Sequence, residues 1–142
     1  MIVPDINLLV FAYNEAAPQH DAARAWWEGL MSGRERVGIP WAVVIGFVRL
    51  VTHGAVLEQP LPPGGAIERV RRWFTREHVL SLDPGPRHLI ILEQLFDATG
   101  VGGNLTTDTH LAALAIEHQC ALHSGDADFA RFPGLRWYNP LA

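Results

Sequence analysis

The chain has 142 residues, 49% of them hydrophobic and 18% charged, the size and balance of one domain built on one core. Its 15 acids against 11 basic residues leave a formal charge of −4, which excludes a protein that coats nucleic acid by general phosphate attraction. All 11 basic residues are Arg, so a Walker-type phosphate loop and a Lys Schiff base are excluded, and the single Cys120 excludes an internal disulfide framework and Cys-cluster zinc sites.

In chain order, Met1 to Leu9 reads as a short buried strand that reaches an acid, Asp5, and turns into an apolar helix. Gln19 to Met31 is predicted helical, with Ala22, Ala25, Trp26 and Leu30 on one stripe, and Val37 to Ile39 is a brief strand. Pro40 to His53 is apolar almost throughout, as expected of a helix packed on most sides. Leu57 to Gly65 carries three prolines and two glycines and reads as an internal loop, so residues 1–142 are taken as a single domain. A helix at Ala66 to Glu77, a strand at Val79 to Leu82 and a helix at Pro86 to Ala98 follow. After a Gly-rich turn at 100–104 come a helix at Asp108 to His118, a strand at Ala121 to Ser124, a turn at Gly125 to Phe132 and a last strand at Leu135 to Tyr138. Strands alternating with helices imply a parallel sheet covered on both faces. The longest uncharged run, Val37 to Val48, is too short to span a membrane, and the expectation is a cytoplasmic protein with no membrane partner.

Ligands of such a sheet bind beyond the carboxyl ends of the strands, so the acids there matter most. Asp5 ends the first strand, Asp126 and Asp128 lie just past the Ala121 strand, and Asp108 opens a helix. Helix capping would account for Asp108 alone, and turn formation for Asp126 or Asp128 alone. A charge at the end of an apolar strand is harder to dismiss, because it is costly unless paired or bound. Gathered carboxylates repel one another unless protons or a divalent cation neutralise them, and a hard oxygen site with open positions suits Mg²⁺ or Mn²⁺ and phosphodiester hydrolysis. Asn7 and Ser124 fit either a turn or a role in orienting a carboxylate. The three serines form no G-x-S-x-G elbow and the seven histidines no H-E-x-x-H pair. Arg69, Arg72 and Arg76 form one basic stripe, a solvated face or an RNA track, and Trp26, Trp27 and Trp41 are read as packing. A metal-dependent phosphatase for small substrates needs the same acids at strand ends.

Four segments taken together resemble the PIN-domain endoribonucleases, and most closely the VapC-type toxins of bacterial toxin–antitoxin pairs. They are Ile2 to Leu9, Pro40 to Leu50, Thr107 to Ala115 and Ser124 to Phe132, in order and at domain-like spacing. The resemblance implies an α/β/α sandwich with a central, mostly parallel sheet, and a Mg²⁺-dependent endoribonuclease (with Mn²⁺ as a substitute) that hydrolyses RNA by metal-activated water. It implies Asp5, Asp108 and Asp126 as metal ligands, with Asp128 as a further catalytic acid. A VapB-type antitoxin and a homodimer are the implied partners beside RNA. Where the family typically has a Glu in the central helix this chain has Gly46, and no acid occurs between Glu35 and Glu58. That departure leaves an alternative, a catalytically weak PIN-fold module that binds RNA or protein. Arg49 follows the same segment and is expected to pair with one of the acids.

Overall fold

A computed structural model describes all 142 residues, Met1–Ala142. Five strands run along the chain: β1 (Ile2–Pro4), β2 (Val37–Pro40), β3 (Val79–Leu82), β4 (Ala121–His123) and β5 (Arg136–Tyr138). They form one sheet in the order β3-β2-β1-β4-β5, with every neighbouring pair parallel. The helices are α1 (Ile6–Tyr13), α2 (His20–Ser32), α3 (Trp41–Val51), α4 (Pro63–Phe74), α5 (His88–Thr99) and α6 (Thr106–Glu117), and a short 3₁₀ turn spans Ala127–Arg131. The result is the three-layer α/β/α sandwich expected from the alternation, with a wholly parallel sheet.

A parallel sheet covered on both faces needs strands that are apolar on both faces, not alternating ones. β1 and β2 meet that demand: every residue of both is buried, and Val3, Val37 and Ile39 have no exposed surface. Leu122 does the same at the centre of β4. α6 carries the run Leu111 to Ala115, all fully buried, which explains why this helix shows no amphipathic stripe. On α3, Val43, Val44, Phe47 and Val51 reach the same core.

The structure departs from the sequence pattern at three places. Half of the expected α2 stripe holds: Trp26 and Leu30 pack against the core, whereas Ala22 and Ala25 are exposed and Ala23 and Trp27 are buried instead, with the Trp27 ring edge-on against Trp73 at 5.3 Å. α4 begins at Pro63, inside the stretch read as loop, since proline at a first helical position costs no hydrogen bond. The turn at 125–132 contains the 3₁₀ segment, opened by Asp126, whose Oδ1 accepts from the Asp128 N–H at 2.9 Å.

Register places the chemistry. Pro4 lies opposite His123, and His123 opposite Tyr138, so the residues that follow β1, β4 and β5 emerge on one edge.

Candidate active site

After β1 the chain builds β2 and β3 to one side, then returns to place β4 on the other side of β1. The crevice beyond the carboxyl ends of β1 and β4 is therefore the switch point where an open parallel sheet binds ligands. Asp5 is the first residue past β1, and Ser124 the first past β4.

Asp5 is only 5% exposed. Its Oδ1 accepts from the Ile6 N–H at 2.7 Å at the start of α1, and its Oδ2 accepts from the Ser124 hydroxyl at 2.7 Å. Ser124 is fully buried, and its Oγ in turn accepts from the Asp126 N–H at 3.0 Å. With the Asp126–Asp128 bond, a continuous hydrogen-bonded chain runs from Asp5 through Ser124 to Asp126 and Asp128.

Burial pushes the Asp5 carboxyl above its ordinary range, against the bonds from Ser124 and Ile6, and the charge of Asp126 pushes the same way. Asp108, in the first turn of α6, is pushed up to about 6 by burial and then by the charges of Asp5, Asp126 and Asp128. The four acids thus share one field across three elements that are far apart in sequence. Little cationic charge opposes it: Arg131 lies 3.5 Å from Asp128, with both side chains half-exposed. Arg49, expected to pair with an acid, is exposed on α3 and makes no salt bridge, because its position on the helix points away from the buried Phe47 side.

No group of three or more His, Cys, Asp or Glu side chains is arranged as a metal cage. The donors nevertheless suit a small hard cation, being carboxylate oxygens with unused lone pairs, and Mg²⁺ typically takes one or two carboxylates, waters and substrate phosphate oxygens, with no all-protein cage. Asn7 makes no hydrogen bond to Asp5; its side chain is exposed and lines a cavity with Asp126. Gly46 is buried in α3, and a Cβ built there would meet the Ile6 side chain at 2.6, 3.1 and 3.4 Å. That space belongs to the packing of α3 on α1, so an acid at this position would have to displace Ile6.

Ser124, bonded to Asp5, is the residue here that the sequence leaves undecided between a turn and an orienting role. Its place directly after β4, as Asp5 stands directly after β1, is visible in the sequence, but that the two strand ends meet is decided by the sheet order.

The PIN domain family model matches residues 2–135, which includes every one of these acids. The chain belongs to the PIN-domain family. Within it, ribonuclease VapC33 of Mycobacterium tuberculosis is 46% identical over 141 residues, covering 99% of each chain. Ribonuclease VapC37 of the same organism is 39% identical over 142 residues, covering 100% of this chain and 99% of the relative. These full-length matches place this PIN domain among the VapC nucleases. The same fold occurs in the VapBC2 complex of Rickettsia felis bound to a DNA fragment from its promoter, with a TM-score of 0.69 at 19% identity over 98% of both chains. No helix of this PIN domain is long and apolar enough to cross a membrane.

Proposed function

We propose that this chain is the toxin of a type II toxin–antitoxin pair, an endoribonuclease dependent on Mg²⁺, with Mn²⁺ as a substitute. Asp5, Asp108 and Asp126 would hold the cation and Asp128 would act beside them. The observation that carries the reading is the hydrogen-bonded chain from Asp5 through Ser124 to Asp126 and Asp128 at the switch point of the sheet, beside Asp108, whose carboxyl is raised by burial and then by the charges of those acids. Such a concentration of like charge is what a divalent cation and a substrate phosphate together relieve.

When bound, the cation supplies Lewis-acid stabilisation of phosphoryl charge and makes a water more acidic. The chain's own residues do the rest. Ser124 fixes the Asp5 carboxylate by its 2.7 Å bond, so that one face of Oδ2 is already committed and the remaining lone pairs point in fixed directions. The same hydroxyl, by accepting from the Asp126 N–H, sets the backbone from which the Asp126 side chain rises. Asp128 stays half-exposed, so an RNA chain would reach it from solvent.

A VapB-type antitoxin is the partner this reading implies, supported by fold neighbours that are VapBC complexes. A homodimer working in the cytoplasm completes it. Trp41 and Ile45, one turn apart on α3 and 53% and 62% exposed, supply an apolar face for a second copy.

One observation favours a second reading, a PIN-fold module that binds RNA or protein and cleaves weakly: the place of the family Glu is Gly46, packed against Ile6. Asp5→Asn separates the two. Loss of RNA cleavage and of growth inhibition, with RNA binding retained, supports the nuclease; an unchanged phenotype supports the module.

A further inference from the structure

Beyond the acids, the carboxyl-end edge of the sheet carries a cavity of about 350 Å³. It is lined by residues that follow β1, β4 and β5, among them Asn7, Phe11, Gln19, Asp126 and Asn139. Its chemistry differs from that of the acidic crevice. Three side-chain amides project from separate segments of the chain, and no Arg or His lines the cavity. Asn7 and Gln19 are exposed and make no side-chain hydrogen bond within the protein. Asn139 spends its Oδ1 on the Leu141 N–H at 3.0 Å, which fixes the side chain and leaves its amide protons free.

An anion finds no cation there, and a wholly apolar group would strand three amides. A flat neutral ring with donor and acceptor atoms on its edge satisfies both: a carboxamide pairs with such an edge in bidentate fashion, and an aromatic ring such as Phe11 supplies a stacking face. Asp126 belongs to both sites, so a ring held in the cavity lies beside the acids.

We infer that this cavity is a nucleobase pocket that selects the base next to the phosphodiester to be cut. The inference rests on the ribonuclease reading for its substrate, but its geometry is independent of turnover. Gln19 is the residue to change, because it precedes α2 with no side-chain cap bond, so truncating it breaks no side-chain hydrogen bond of the fold. Changing Asn139 would also open the turn at Leu141.

The test uses the full chain, labelled with ¹⁵N, titrated in EDTA with AMP, CMP, GMP and UMP. At least one nucleotide is expected to shift the side-chain amide signals of Asn7, Gln19 and Asn139, and Gln19→Ala is expected to weaken that nucleotide about tenfold, as loss of a bidentate amide contact does. Phe11→Leu, which keeps the bulk and removes the flat face, should weaken all four. In cleavage of an oligonucleotide pool with one randomised position beside the cut, Gln19→Ala should flatten the base preference while cleavage of non-preferred sequences persists. No amide shift with any nucleotide overturns the inference, as does a shift produced only by a short Arg-containing peptide, which would make the cavity a protein subsite. Nucleotide binding by a protein that cuts no RNA would support the pocket and remove the nuclease reading instead.

Discussion

The Ser124 hydroxyl lies 2.7 Å from Asp5 Oδ2 although the two residues are 119 positions apart in sequence. The bond is buried, so its loss is not repaired by solvent. Ser124→Ala removes the donor and leaves the Asp5 carboxylate desolvated with one partner fewer. Stability should fall by roughly 1–3 kcal/mol, and cleavage should drop by ~10–100-fold, the usual cost of removing a group that orients a metal-binding carboxylate. Urea unfolding and initial rates measure the two effects. A variant with normal rates would show that Asp5 needs no such support.

Gly46 fills the place of a family Glu because α3 packs on the Ile6 side chain there. Gly46→Ala gains about 1 kcal/mol of helix propensity but overpacks against Ile6, a cost of ~1–3 kcal/mol. The net expectation is a destabilised protein, rescued when Ile6 is shortened to Val in the same chain. Unfolding curves of the two single variants and the double variant decide it, and a Gly46→Ala protein more stable than the parent would contradict the packing.

The pH dependence of the metal-free protein follows from the raised carboxyl of Asp5 and from that of Asp108. The folded Asp108 value of about 6 lies above the ordinary 3.8, so the fold holds this proton longer than the unfolded chain does, and stability falls as pH rises through that window. His88, His110 and His123 are lowered by burial, and their contributions run the opposite way as pH rises toward their ordinary 6.5. Those contributions are common to wild type and Asp108→Asn. In EDTA, the Tm of Asp108→Asn relative to wild type should therefore increase between about pH 4 and pH 6.5, and Mg²⁺ at neutral pH should raise the wild-type Tm more than that of the variant. Parallel curves would contradict the shared field.

Much of this site is legible in the amino-acid sequence. Asp5 stands out because an acid at the end of Ile2-Val3-Pro4 is costly in an apolar strand, and Asp108, Asp126 and Asp128 because they stand at strand and helix ends. The parallel sheet follows from the alternation of elements. Phase and register are what a linear pattern lacks. The burial of Trp27, which the expected α2 stripe left out, follows from where Trp73 sits, 46 positions further along the chain. The role of Ser124 depends on β4 lying beside β1, a tertiary fact. Arg49 illustrates the converse: the motif suggests a partner for the acids, and helix geometry turns the side chain to solvent.

Glu117, on α6, reaches across to the start of α5, where its carboxylate accepts from the Gly85 N–H at 2.8 Å and the Arg87 N–H at 2.9 Å. A negative group on free amides at a helix start works as a cap. Glu117→Ala should cost about 1–2 kcal/mol in urea unfolding while leaving cleavage rates unchanged, since the residue lies at the far end of α6 from Asp108. A large rate defect in a folded variant would tie α5 to the active edge.

The proposed activity is cleavage of RNA by the acids at the switch point with a divalent cation. Its most direct test is incubation of a total RNA pool with antitoxin-free protein and Mg²⁺ or Mn²⁺, beside an EDTA control and the Asp108→Asn variant. Discrete fragments that vanish in both controls are the expected result. Fragments that persist with Asp108→Asn, or no cleavage by a folded protein that binds no metal, would contradict the claim.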